Sequence, residues 1–126
     1  MAVSSISQVG SNPTWTTLTV ESGITTPSTD GDGVLRCMRI GKHVFMRGSI
    51  LAAIASGTNK LISTLPTEFR PSGVIHWYPG CGGQNLSRAF VHTDGSITIE
   101  WNLKLSNGSA FTSQTWFDFN FDYWID

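Results

Sequence analysis

The sequence has little charge, little cysteine and no long apolar run. Asp, Glu, Lys and Arg make up 13% of its 126 residues, about half of the usual share. The eight basic and nine acidic residues leave a net charge of −1, so the sequence carries no basic field to attract phosphates. No window reaches transmembrane length, and residues 1–13 lack the basic start and apolar run of a signal peptide. Neither nucleic acid nor membrane insertion is therefore expected.

The two cysteines, Cys37 and Cys81, lie far apart and lack the CxxC spacing of redox and zinc motifs. A disulfide between them stays open, while a buried free thiol is the simpler expectation for Cys37. Residues 1–13 are small and polar, which predicts a tether or the end of a stalk. Residues 14–126 are then expected to form a single domain of ordinary size.

Turn signals at regular spacing separate short segments rich in β-forming residues. The only stretch with helical propensity, residues 51–56, is too short for a stable helix. Together these features predict an all-β fold, an antiparallel β-sandwich that is jelly-roll-like. The expected strands are residues 14–20, 34–40, 43–51, 60–64, 74–78, 86–92, 96–103 and 115–125.

The first predicted hairpin turns at Gly41-Lys42 and is apolar on both faces. A strand that is half-exposed in a monomer should be polar on one face. We therefore expect one face to pack on the core and the other to meet a neighbouring subunit. One face holds Val34, Met38, Ile40 and Phe45, and the other holds Leu35, Cys37, Val44 and Met46; the sequence leaves open which of them is the core face.

The second predicted hairpin turns at Asp94-Gly95, and its register has two solutions. A two-residue turn would place Phe90 and His92 beside the apolar residues of the following strand. A turn with a one-residue bulge would place Ala89 and Val91 there and direct Phe90 outward. The sequence leaves both solutions open.

Residues 115–125 alternate more regularly than any other segment. This pattern predicts a central core strand, because one face collects most of the aromatic side chains. The acidic residues of the opposite face, Asp118 and Asp122, are expected to face solvent or the basic first hairpin. The apolar face holds Phe117, Phe119, Phe121, Tyr123 and Ile125.

No set of residues has the spacing of a known catalytic or metal site. A nucleophile elbow is missing, and His43, His76 and His92 do not have metal-ligand spacing. The alternating Asp and Gly of residues 30–33 lack the further acidic ligands of a calcium loop, so a turn is the simpler interpretation. The sequence therefore predicts neither an enzyme nor a bound cofactor or metal.

The segment Leu65-Pro66-Thr67-Glu68-Phe69-Arg70-Pro71 predicts an ordered crossover between strands. Its two prolines fix φ and bias the residues before them away from helix, while Leu65 and Phe69 would anchor it. The segment resembles the LP-x-x-F/Y-R-P signature of C-terminal head domains in phage tail fibres and receptor-binding proteins. Residues 39–50 resemble the strand pair that precedes this signature, and residues 93–99 the hairpin that follows it. The resemblance covers about residues 34–125.

This resemblance implies a homotrimeric, non-catalytic head domain at the tip of a phage tail fibre or baseplate. Such a domain binds host cell-surface saccharide and would contact other tail or baseplate proteins through its N-terminal segment. It would be assembled in the host cytoplasm, released by lysis and located at the tail tip of the virion. The alternatives are a structural module that trimerises or caps a fibre, and a small carbohydrate-active enzyme.

Five tryptophans in 126 residues fit saccharide recognition, because aromatic faces stack on sugar rings while polar side chains bond the hydroxyls. Trp15, Trp116 and Trp124 are the stronger candidates, since Trp77 and Trp101 are expected in the core or an interface. Strand alternation directs His76 and Tyr78 away from Ile75 and Trp77. Outward positions and loop ends give the predicted ligand-binding set of His76, Tyr78, Arg88, His92, Asp94 and Trp116.

Overall fold

The computed structural model describes residues 14–27, 33–54, 58–81, 85–104 and 115–125. Every strand pair within these ranges is antiparallel. The predicted all-β fold, an antiparallel β-sandwich, is confirmed. No helix in the described ranges is long and apolar enough to cross a bilayer. The elements are β1 (Thr16–Thr17), β2 (Arg36–Ile40), β3 (His43–Arg47), β4 (Ser49–Ala52), β5 (Lys60–Thr64), a 3-10 turn (Thr67–Phe69), β6 (Ile75–Trp77), β7 (Asn85–Val91), β8 (Ser96–Lys104), β9 (Thr115–Asp118) and β10 (Phe121–Trp124).

The described strands form three hydrogen-bonded sheets. Two are four-stranded, with the orders β1-β2-β3-β10 and β5-β8-β7-β6, and the third pairs β4 with β9. Buried apolar side chains from all three sheets meet in one core. The largest of them are Phe117, Phe119, Leu35, Met46, Ile50, Ile62, Leu65, Ile97 and Ile99.

At two adjacent places in the fold the chain leaves one sheet and continues in another. Gly48 separates β3 from β4, and residues 119–120 separate β9 from β10. The break is held by hydrogen bonds from the Phe119 amide to the Gly48 carbonyl (2.8 Å) and from the Gly48 amide to Asn120 Oδ1 (3.2 Å). Gly48 has a φ of +133°, and a Cβ there would lie 2.2 Å from the Val34 carbonyl oxygen. Only glycine fits this corner.

This corner corrects the prediction of one central strand over residues 115–125. The segment forms two strands in two sheets, and β10 lies at the edge of its sheet among the described strands. The alternation nevertheless holds, because the interruption is two residues long and keeps the parity of the pattern. Phe117, Phe119 and Tyr123 are buried, while Asn120 and Trp124 are exposed.

The first hairpin has the predicted turn, with Gly41 in the left-handed region at a φ of +60°. The face with Leu35, Cys37, Val44 and Met46 is the one that packs on the core. Cys37 is a buried free thiol, as expected, and Cys81 is also free. On the outer face of the hairpin Met38 and Phe45 are half-buried and Ile40 is 47% exposed. The neighbouring subunit expected there stays a prediction.

The two acidic residues of the closing segment have different surroundings. Asp122 lies opposite Phe45 in the sheet, and its carboxylate contacts His43 Nε2 at 2.5 Å, so it meets the first hairpin as expected. Asp118 lies in β9 instead, where its Oδ1 accepts a hydrogen bond from Ser49 Oγ (3.1 Å).

Several predicted strands are shorter in the structure. Regular pairing over residues 14–20 is limited to Thr16–Thr17, with an isolated bridge between Val20 and Ser63. The strand predicted over residues 74–78 spans Ile75–Trp77. The tether expected over residues 1–13 and most of the 30–33 run lie outside the described residues.

The crossover between β5 and β6 is ordered, as predicted. Leu65 and Phe69 are buried. The Leu65 amide donates to the Gly95 carbonyl (2.8 Å), and Tyr123 Oη donates to the Phe69 carbonyl (2.6 Å). The crossover therefore connects the tip of the β7-β8 hairpin with the closing strand.

Candidate ligand-binding face

The turn between β7 and β8 decides which side chains reach the surface. The His92 amide donates to the Ser96 carbonyl and the Gly95 amide donates to the His92 carbonyl, both at 2.9 Å. The loop thus has three residues and ends at Gly95, whose φ is +90°, as in a hairpin with a glycine bulge. Of the two register solutions, the structure has the bulged one.

This register buries Ala89 and Val91 and turns Phe90 outward. Phe90 pairs with His76 on one side and with Thr98 on the other, so a row of side chains crosses three strands. The pairing of β7 and β8 has a second irregularity, further from the turn. Ala89 pairs with Ile99, but the next residue of β7, Arg88, pairs with Trp101. Glu100 is the extra residue of this bulge. We call the resulting surface the β7 face; it consists of His76, Tyr78, Arg88, Phe90, His92, Thr98 and Glu100.

Phe90 is the centre of an aromatic group on the β7 face. Its ring centroid lies 6.0 Å from that of His76 and 5.8 Å from that of His92. The rings of Phe90 and His92 are nearly parallel, with an interplanar angle of 16°. The guanidinium carbon of Arg88 lies 5.1 Å from the centre of the Phe90 ring. This distance is typical of a cation–π contact, which orients the planar guanidinium.

Beside the rings lies a polar group built around one carboxylate oxygen. Glu100 Oε2 accepts a hydrogen bond from Thr98 Oγ1 (2.6 Å) and lies 2.6 Å from His92 Nε2. The same Nε2 lies 3.1 Å from Thr98 Oγ1. A Ser-His-Asp relay uses both ring nitrogens of its histidine, one for the nucleophile and one for the acid. Here one nitrogen makes both contacts, so the group positions Glu100 and is not arranged as such a relay.

Tyr78, Arg88, Phe90 and Glu100 line a cleft of about 420 Å³. This volume lies within the usual range for small-molecule sites, in which aromatic walls carry a few placed polar groups. Tyr78 stands at the rim and is 60% exposed. Arg88 Nε is buried and has no hydrogen-bond partner in the part of the chain that the structure describes. The cleft thus combines two aromatic rings, one guanidinium and one carboxylate.

Four of the six predicted ligand-binding residues, His76, Tyr78, Arg88 and His92, come together on the β7 face. Asp94 serves the turn instead: its Oδ1 accepts hydrogen bonds from the Ser96 hydroxyl (2.7 Å) and the Ser96 amide (2.9 Å). These bonds lower the pKa of the Asp94 carboxyl below its ordinary value.

Trp116 also lies off the β7 face, in β9 of the two-stranded sheet. It is 44% exposed, and its Nε1 donates to Asp118 Oδ1 at 2.7 Å. Sequence reasoning missed Phe90, Thr98 and Glu100 as members of the face. The outward position of Phe90 was one of the two register solutions, whereas the bulge at Glu100 has no signal in the sequence.

The other tryptophans have different surroundings. Trp77 stacks on Phe121 at 3.9 Å and meets Phe119 edge-on at 5.3 Å, which is the packing role expected for it. Trp124 is 62% exposed and stacks on His43 at 4.3 Å. The side chain of Trp101 lies outside what the structure describes.

The sequence matches no model of a known protein family, and no curated protein is similar to it. Within the described ranges, no group of three or more His, Cys, Asp or Glu residues is placed to hold a metal ion. The chemistry of the β7 face is therefore what points to a function.

Proposed function

We propose that the protein is a saccharide-binding head domain of a phage tail fibre or baseplate, and that the β7 face holds the host glycan. The observation that carries this proposal is the cleft whose lining combines the rings of Tyr78 and Phe90 with the charged groups of Arg88 and Glu100. Aromatic rings can contact the apolar faces of sugar rings. A guanidinium and a carboxylate beside them supply donors and acceptors for hydroxyl groups. The function needs binding alone, with no catalysed step.

The biological setting rests on the sequence resemblance of the 65–71 crossover and its flanking segments to phage receptor-binding heads. The structural support is indirect: the crossover is ordered and its Leu65 bonds to the tip of the β7-β8 hairpin. A segment that resembles the family signature thus holds the hairpin on which the proposed site is built.

A homotrimer is part of this proposal, and its support is the outer face of the first hairpin. In the row across β2, β3 and β10, Ile40 and Trp124 both pair with His43. Both are largely exposed, and adjoining exposed apolar side chains are typical of protein interaction sites. Three copies would present three β7 faces to one cell surface, and avidity would then strengthen a shallow site.

The test is calorimetric titration of the protein with purified host cell-wall polysaccharide. We expect wild type to bind and Phe90→Ala to lose at least about tenfold in affinity, since the variant removes the aromatic centre of the cleft. Trp116→Ala is the matched control, because it removes an exposed aromatic side chain from another sheet. Equal losses in both variants would contradict a site on the β7 face.

The exposed Ile40 and Trp124 on either side of His43 also favour a second candidate, a structural module that trimerises or caps a fibre. This candidate requires the trimer and no ligand. A trimeric mass together with no binding to any host glycan would support it over saccharide recognition. Release of reducing sugar from the polysaccharide would contradict both, since neither includes a catalysed step.

A further inference from the structure

Arg88 is the cation of the cleft, and its hydrogen-bonding capacity is not used within the described chain. Its Nε is buried without a hydrogen-bond partner there. Native structures rarely leave a buried donor unpaired. The neighbour of its guanidinium is the Phe90 ring, at 5.1 Å, which contacts the flat side of the group and leaves its N–H edges for other partners.

The carboxylate in the same cleft, in contrast, already has hydrogen-bond partners in the protein. Glu100 Oε2 already accepts from Thr98 and contacts His92. Its charge is therefore partly met by groups of the protein, whereas no described residue accepts a hydrogen bond from Arg88 Nε. The unmet binding capacity of the cleft is a planar cationic donor.

From this imbalance we infer that the glycan carries an acidic group, a carboxylate or a phosphate, which Arg88 binds through the N–H groups at the cleft-lining end of its guanidinium. Both anions match the guanidinium fork in geometry and give the stronger, charge-assisted hydrogen bonds. Tyr78 and Phe90 would then contact the sugar that bears the acid. The inference rests on the proposed function, because it names the class of saccharide that the same face takes.

The first experiment compares matched ligands by calorimetry. Oligosaccharides of galacturonic acid are titrated against galactose oligosaccharides of equal length, and a glycerol phosphate polymer forms a third arm. We expect at least one acidic ligand to bind about tenfold or more tightly than the neutral one. Its affinity should fall as sodium chloride is raised, since salt screens the charge pair. The acidic arm that binds more tightly identifies the anion as carboxylate or phosphate.

The second experiment uses three variants whose folding is checked by circular dichroism and thermal melts. Arg88→Gln should remove the preference for the acidic ligand. Arg88→Lys should restore it only in part, because lysine keeps the charge but lacks the fork. Glu100→Gln should strengthen acidic binding several-fold, since it removes a like charge while keeping an oxygen for Thr98.

The outcomes separate this inference from the function on which it rests. Neutral and acidic ligands binding equally would overturn the inference and leave saccharide binding intact. A weaker acidic complex in Glu100→Gln would also overturn it, because the carboxylate would then be a ligand contact. Binding of no glycan at all, in a folded protein, would overturn the proposed function and the inference together.

Discussion

The Nε atom of Arg70 lies 2.6 Å from the position that a Cβ on Gly95 would occupy. The same Nε donates to the Leu65 carbonyl at 3.0 Å, and the Leu65 amide donates to the Gly95 carbonyl at 2.8 Å. Two residues of the crossover, Leu65 and Arg70, thus close one tight joint with Gly95, which is distant from them in sequence. This joint fixes the turn that sets the register of β7 and β8, and this register places Phe90 outward.

Gly95→Ala should therefore destabilise the protein and disturb the β7 face. At a φ of +90° an L side chain is strained, and the added Cβ would lie 2.7 Å from the Leu65 carbonyl oxygen. The backbone conformation alone should cost about 1–3 kcal/mol. Chemical unfolding measures this cost. Gly73→Ala is the control, because a Cβ there meets nothing within 4 Å, and a similar loss in both variants would contradict the joint.

The acid stability of the same turn depends on Asp94. Its hydrogen bonds to Ser96 lower the pKa of the carboxyl in the folded state, so the ionised form is favoured by folding. The contribution is present above the ordinary carboxyl pKa of about 4 and is lost as pH falls through the lowered value. Ser96→Ala should raise the pKa of Asp94 in an NMR titration and reduce the loss of stability below pH 4. An unchanged titration midpoint would contradict this role.

The closing segment allows a comparison of adjacent residues. Phe119 is fully buried, so Phe119→Ala should cost about 3–5 kcal/mol from lost transfer energy and an unfilled cavity. Asn120 is exposed, but its Oδ1 accepts from the Gly48 amide at 3.2 Å. Asn120→Ala should therefore cost about 0.5–1.5 kcal/mol, more than a free surface residue. Thermal melts at fixed protein concentration measure both, and equal costs would mean that the register is wrong.

The sequence predicts which side chains of this fold are inside better than it predicts how the strands connect. Alternation places Phe117 and Phe119 inside and Trp124 outside because burial has the same period of two in either sheet. The change of sheet is a different matter. It depends on the contact of Gly48 with the Val34 carbonyl, and a sequence does not show such a close approach.

The same limit applies to the candidate site. His76 and Tyr78 follow from strand alternation, which is local, whereas Arg88 has the parity of Phe90 and faces outward only in the bulged register. Membership of Glu100 requires a bulge opposite Arg88, and bulges depend on how two strands fit together. Asp94 was predicted as a ligand-binding residue because it stands at a loop end, where a short acidic side chain can equally well bond its own turn.

The last prediction concerns the proposed trimer. It tests whether the outer face of the first hairpin, and not any exposed apolar residue, forms the subunit interface. Ile40 lies in the row of Ile40, His43 and Trp124 across β2, β3 and β10 and is 47% exposed, while Val74 is 52% exposed just before β6. Wild type should have a trimeric mass by light scattering coupled to size exclusion at micromolar concentration. Ile40→Lys should give a monomer, because a charge buried without a partner in an interface costs about 2–5 kcal/mol per site. Arg39 and Lys42 flank the position in sequence and add like-charge repulsion.

Val74→Lys changes a side chain of similar exposure outside this row and should leave the trimer intact. A monomeric wild type, or dissociation caused equally by both substitutions, would show that the outer face of the first hairpin is not the subunit interface.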